Sequence, residues 1–301
     1  MLPEITAFLE SAAITGTARS TQENYKYSLQ AFDQFLLDAV LAGDLPAYEI
    51  SDKTICPETF SLFCDHLKEN NKSGKTVQQY LTIVKLFAKS INKPVEFSYR
   101  ITSEDKKAKQ IKNINRWFNE SDVAACLNFT FPAAKDTRTR LQSRLLIRML
   151  AETGARISEI ANMKIEDVVQ EERTVFISLS KTEPRPAFYS SETAVLMDQF
   201  LSDNTDVLGG QIAQYLFPDV DKCQSIVLGM LNSLKMKQAQ DGRGPHTFRH
   251  FVATRLYFVG EMDLTDLAIV LGDQPDTLRQ NYLHPTAEML RKKVKKAWGW
   301  V

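Results

Sequence analysis

The sequence predicts a mainly α-helical chain of two domains, the second carrying one small antiparallel β-sheet. Three observations predict it. Apolar residues in the first third recur at helical spacing, with turn residues between the runs. The stretch Lys93–Arg116 is poor in large apolar residues and rich in lysine, which is the composition of a linker. In the remainder, Thr174–Leu179 alternates with the period of two that a half-buried strand requires, while the segments around it read as helical.

Ser20-Thr21-Gln22-Glu23 has the form of a helix start, with a Glu three residues after the Ser to close a capping box. Tyr25, Leu29, Phe32 and Leu36 follow at helical spacing. Pro57-Glu58 opens a second helix through Phe63 and Leu67, because a proline in the first turn gives up an N–H that would bond nothing there. Asn71-Lys72-Ser73-Gly74 reads as a turn. A third helix starts near Lys75 with Tyr80, Ile83, Val84 and Phe87 on one face, and Pro94 ends the region. Trp117-Phe118-Asn119-Glu120-Ser121-Asp122 begins a new unit, with Asn119 or Ser121 as a helix cap. Leu141–Leu150 is strongly helical, and Gly154 suits the end of that helix. Thr174–Leu179 and a shorter partner, Arg185–Ser190, form a hairpin with Lys181-Thr182-Glu183-Pro184 at its tip. From Glu192 the pattern is helical again, broken at Gly209-Gly210 and at Gly242-Arg243-Gly244-Pro245. The organisation read from this is a helical domain over residues 1–92, a basic linker over 93–116 and a second domain over 117–301.

The 301 residues suffice for two ordinary domains, and 44% hydrophobic against 25% charged residues is a globular balance that excludes wholesale disorder. The 37 basic and 37 acidic residues cancel, which argues against a strongly basic nucleic-acid binder. Whole-chain charge hides distribution, however: residues 1–92 carry 8 basic and 11 acidic residues, so the rest is net basic. Cys56, Cys64, Cys126 and Cys223 are widely spaced with no C-x-x-C, as expected for a reducing intracellular compartment. The first residues lack a basic region followed by an apolar run, so no secretory signal is expected. No apolar stretch is long enough to span a bilayer. The expected location is cytoplasmic, at the nucleoid.

Four segments carry chemistry. They are Thr153-Gly154-Ala155-Arg156-Ile157-Ser158-Glu159, Lys181 at the hairpin tip, Pro245-His246-Thr247-Phe248-Arg249-His250, and Leu271-Gly272-Asp273 followed nine residues after the Asp by Tyr282. Singly, an Arg, Lys or Tyr is more often surface or packing than catalytic. In this order and at these separations, the segments resemble the tyrosine recombinase (phage integrase) family. That family has an Arg in a T-G-x-R-x-x-E turn, a Lys on a β-hairpin, H-x-x-R on a helix, a His or Trp, and then a Tyr. Lys181 lies 25 residues after Arg156, about where the family's lysine falls. The resemblance covers residues 117–300 well. More loosely, the first domain is similar to the family's helical, SAM-like core-binding domain. The chain starts almost at that domain, which favours a simple Xer-like or transposon resolvase type while leaving phage-type integration open.

The residue types suit the chemistry the resemblance implies. A DNA phosphodiester is anionic and resists attack. Arg156 and Arg249 can each offer paired hydrogen bonds to its non-bridging oxygens and match the extra charge of the transition state. Tyr282 supplies the nucleophile. A phenol holds its proton until about pH 10, so a base is needed, and His246 shares a helical face with Arg249. By resemblance, Lys181 protonates the leaving 5′-oxygen, and Glu159, one turn from Arg156, supports the site. Neither cofactor nor metal is expected. His246 and His250 stand at i, i+4, but no acidic residue or third ligand accompanies them. His250 is expected to pack or brace the helix.

Asp273 departs from the family, which has a hydrogen-bond donor there. An ionised carboxylate cannot donate and repels phosphate, unless it turns onto an Arg or Lys. If repulsion dominates, Asp273→His speeds cleavage; if Asp273 orients an arginine, the same change slows it. Lys106, Lys107, Lys109 and Lys112 in the linker are expected to follow the DNA backbone. Arg291–Lys296, followed by Trp298 and Trp300, invites docking on a neighbouring protomer, as the family's terminal segment does. The expected partners are double-stranded DNA with inverted-repeat core sites and three further copies of the chain, as a homotetramer on two sites. Two other classes of function stand beside this reading: a non-catalytic DNA-binding protein on the same fold, and a type IB topoisomerase-like strand cutter.

Overall fold

The computed structural model describes residues 1–103, 117–180, 183–202, 214–237, 243–283 and 287–298. These are mostly helical, with one three-stranded antiparallel sheet, as the sequence predicts. Contacts divide the chain into two compact units, Met1–Ile111 and Lys112–Val301.

The first unit contains α1 (Pro3–Leu9), α2 (Ala12–Thr15), α3 (Arg19–Ala42), α4 (Pro57–Glu69) and α5 (Gly74–Ser90). Its core is aromatic: Phe32 meets Phe63 edge to face at 5.1 Å, and Phe60 and Phe87 are fully buried with them. The start of α3 differs from the expectation. Ala18 occupies the cap position and no side chain caps the helix. Instead Gln22 Nε2 reaches back to Thr15 O and Thr17 O, at 3.0 and 2.8 Å, and ties the helix to the preceding turn. Pro57 opens α4 as expected, and Ser73 caps α5 by accepting from Thr76 N–H at 3.2 Å. Beyond residue 92 the first core continues. Val95 is buried, Phe97 and Tyr99 pack against the cluster, and Lys85 Nζ donates to Phe97 O at 2.8 Å. Lys106, Lys107, Lys109 and Lys112 lie outside the described residues.

The second unit opens with α6 (Glu120–Leu127), capped reciprocally by Asn119 and Asp122. Helix α7 (Thr137–Thr153) is central, with Leu145, Leu146, Ile147, Met149 and Leu150 all buried. It ends at Gly154, whose φ of 61° only glycine adopts without strain. A β-carbon there would also lie 2.9 Å from Leu271 and 3.1 Å from Val252. After α8 (Ile157–Ala161) come β1 (Val168–Val169), β2 (Thr174–Ile177) and β3 (Arg185–Phe188), paired in the order β1-β2-β3. The hairpin register sets Ile177 opposite Arg185. Both strands end earlier than the alternation suggests, and β1, two residues long, gave no sequence signal. Then follow α9 (Ser191–Ser202), α10 (Val220–Ser233), α11 (Pro245–Phe258), α12 (Leu264–Leu271), α13 (Pro275–Asn281) and α14 (Ala287–Trp298). Helices α9 and α11 pack on α7, so the chain on either side of the hairpin returns to one core. Among the described residues, no helix is long and apolar enough to cross a membrane.

Candidate active site

Arg156 is the cap residue of α8. Its N–H donates to Glu159 Oε2 at 2.8 Å, and its Nη1 donates to Glu159 Oε1 at 2.9 Å and to Gly272 O at 3.0 Å. The short helix and its Glu thus hold both the main chain and the side chain of Arg156. Glu159 is not a helix-surface residue: it is 2% exposed. Burial alone would raise its pKa. The hydrogen bonds and charges of Arg185 and Arg156 outweigh that and hold it below the ordinary carboxylate value.

Arg249, on α11, is fully buried. Its Nη1 donates to Gly154 O at 2.9 Å, and its Nη2 donates to Leu271 O at 2.8 Å. The carbonyls at the ends of α7 and α12 therefore fix the plane of the guanidinium. Its Nε is buried and has no partner among the described residues. Burial lowers the guanidinium's pKa, and the like charge of Arg156 lowers it further. Asp273 answers that repulsion. Its Oδ2 accepts from Arg156 Nη2 and from Arg249 Nη2, each at 3.0 Å, so one anionic oxygen sits between two guanidiniums.

Tyr282 ends α13. Its main chain is held by Thr254 Oγ1, which donates to Tyr282 O at 3.0 Å. The side chain is 6% exposed. Its Oη lies 3.0 Å from His246 Nε2, and its ring lies 5.3 Å from the Arg249 guanidinium. Burial pushes the phenol's pKa up, and Arg249 offsets only part of this. The phenol therefore keeps its proton at rest, and the imidazole against it is placed to take that proton. Pro245 starts α11, which puts His246, Arg249 and His250 on one face. His250 lies 4.6 Å from the Tyr282 ring and 3.8 Å from Trp117, centroid to centroid.

The structure thus brings together Arg156, Glu159, His246, Arg249, Asp273 and Tyr282. Lys181 lies outside the described residues. Ser180, just before Lys181, donates to Glu159 Oε1 at 3.1 Å, so the base of the hairpin tip reaches the site. Sequence reasoning missed Arg185, Trp117 and Thr254. Arg185 donates to both oxygens of Glu159, at 3.3 and 2.7 Å. Chemically, the arrangement can hold one anionic group between two guanidiniums, beside a phenol in contact with an imidazole.

Residues 116–289 match the phage integrase family. The chain is 24% identical over 295 residues to the tyrosine recombinase XerA of Saccharolobus solfataricus, covering 97% of this chain and 91% of the relative. It is 25% identical to the tyrosine recombinase XerD of Ralstonia nicotianae, covering 92% and 87%. Among solved structures, the XerH site-specific recombinase bound to palindromic difH substrate aligns with a TM-score of 0.70 at 19% identity, covering 92% and 80%. The Tn1549 transposon integrase with circular intermediate DNA aligns with a TM-score of 0.67 at 16% identity, covering 98% of each chain. At these identities the likeness to solved structures establishes the fold.

Proposed function

The chain belongs to the phage integrase family, and from that premise we propose that it is a site-specific tyrosine recombinase that cleaves and rejoins DNA strands through a 3′-phosphotyrosine. The observation that carries this reading is the Tyr282 hydroxyl, 3.0 Å from His246 Nε2 and beside the two-arginine clamp. Tyr282 Oη attacks the scissile phosphorus as its proton passes to His246 Nε2. The bond from phosphorus to the 5′-oxygen breaks, and Lys181 protonates that oxygen. Arg156 and Arg249 hold the charge that grows on the non-bridging oxygens. The phosphotyrosine retains the bond energy, so a 5′-hydroxyl from another strand rejoins the chain by the reverse step. Double-stranded DNA with an inverted-repeat site is the partner, and the DNA substrates named for the similar solved structures support this.

Asp273 is the resting counter-ion of the clamp. Its Oδ2 accepts from each arginine at 3.0 Å, so a bound phosphate shares the clamp with it. Asp273→His therefore has two effects. The DNA-free protein loses about 3 kcal/mol, because two close guanidiniums are left without their anion. Cleavage slows by about tenfold, because Arg156 and Arg249 lose the carboxylate that aligns them. Thermal melting without DNA checks the first effect, and single-turnover cleavage of a nicked duplex checks the second. Faster cleavage by the variant contradicts this role.

The working form is a homotetramer on two sites, joined through the terminal segment. On α14, Leu290 and Val294 are exposed at i, i+4 spacing, and Trp298 falls at the next such position in the sequence. Lys293 lies about 5.0 Å from the Tyr257 ring and Lys296 pairs with Glu261, but these contacts to the helix's own chain are exposed and hold it weakly. Deleting residues 291–301 should leave cleavage at one site intact and abolish exchange between two sites. The DNA is the inverted-repeat sequence this protein selects from a random duplex library. Exchange at the full-length rate by the truncated chain contradicts the tetramer contact. Full-length protein that relaxes supercoils but never exchanges two sites favours the topoisomerase-like reading instead.

A further inference from the structure

We infer that Arg185 is a positioning residue that couples the β2–β3 hairpin, at Ser180, to the phosphate clamp, acting through Glu159 on Arg156. The inference rests on reading this site as the strand-cleaving centre. Arg185 opens β3 and is 4% exposed. A strand arginine beside a hairpin tip ordinarily projects into water, but this one spends its donors inward. Nη2 donates to Glu159 Oε2 at 2.7 Å, and Nη1 donates to Glu159 Oε1 at 3.3 Å, a two-pronged grip on the carboxylate that also receives Arg156. Nη1 reaches Ser180 Oγ at 3.1 Å, and Ser180 precedes Lys181. Nε donates to Val270 O at 3.0 Å, near the turn that carries Asp273.

Gly272 records how closely this guanidinium is seated. A β-carbon on Gly272 would lie 2.5 Å from Arg185 Nη1 and 2.7 Å from its Cζ, so only glycine lets the arginine lie against the turn. The φ of 62° at Gly272 makes the same demand. The carbonyl of that residue accepts from Arg156 Nη1. One planar group thus orders the carboxylate under Arg156, the main chain beside Asp273 and the residue next to Lys181. A lysine has a single ammonium and cannot hold these points together. Among the described residues, Arg185 hydrogen-bonds Glu159, Ser180 and Val270 rather than Tyr282, His246 or Arg249. It acts through Arg156.

The test uses the full-length protein and a nicked duplex of its selected site in two forms. One has an ordinary scissile phosphate. The other has a methylphosphonate, in which a methyl group replaces one non-bridging oxygen and removes the charge that the clamp serves. Covalent complex formation by the wild type on the ordinary duplex establishes the reading of the site, so a failure there is a failure of that reading alone. Arg185→Gln should cleave the phosphate about a hundredfold more slowly, since a small misplacement of a clamp residue costs that much. It should lose less than about tenfold on the methylphosphonate, where clamp alignment matters less. Arg185→Lys keeps the charge without the fork. It should show the same skew, and it carries the test if the Gln variant fails to fold by circular dichroism. Equal losses on both substrates mean a merely structural role and overturn the inference, as does a normal rate on the phosphate.

Discussion

Arg249→Lys is expected to slow strand cleavage by about a thousandfold while site binding weakens only modestly. The wild-type guanidinium uses Nη1 on Gly154 O and Nη2 on Leu271 O, and with Nη2 it still meets the anionic oxygen now supplied by Asp273. A lysine ammonium in the same buried place can satisfy one carbonyl or face the phosphate, but it cannot do both from a fixed plane. The loss falls on the transition state, where charge on the non-bridging oxygens is greatest, and so it appears in the rate. Binding is spread over many phosphate contacts along the duplex, and one clamp residue is a small part of it. Single-turnover cleavage and a parallel binding titration separate the two effects. Near-normal cleavage by Arg249→Lys rules out the clamp.

Much of this site was legible in the sequence because its chemistry lies in short local patterns. The T-G-x-R-x-x-E turn places Arg156 and Glu159 three residues apart, and Glu159 bonds back to the Arg156 N–H. H-x-x-R-H on a helix opened by Pro245 puts three groups on one face by helical geometry alone. Arg185 was not legible, because its burial comes from partners distant in sequence. Glu159 is 26 positions earlier and Val270 is 85 later, and nothing near Arg185 announces either. Trp117 was read as the start of a domain, and its contact with His250 crosses more than a hundred residues of chain. Asp273 was legible as a departure from the family, but not in its direction. The sequence left open whether it would face the phosphate or the arginines, and the fold answers with both arginines at 3.0 Å. In the first unit the helices follow the apolar spacing. The start of α3 does not follow its capping signal, because Gln22 satisfies the preceding turn from within the helix.

The central claim is that Tyr282 is the nucleophile, and the second large effect follows from it. Tyr282→Phe removes one oxygen from a buried ring that keeps its neighbours: the Arg249 guanidinium at 5.3 Å, the His250 ring at 4.6 Å and the main-chain bond from Thr254. The fold and DNA binding should therefore survive. The cost in stability is about 1 kcal/mol, for the lost hydrogen bond to His246. The direct measurement traps covalent protein–DNA complex on a nicked duplex of the selected site and maps the modified residue by peptide sequencing. The wild type should yield a complex joined through Tyr282, and Tyr282→Phe should bind the same duplex and yield none. A covalent complex formed by Tyr282→Phe, or one joined through another residue in the wild type, contradicts the account.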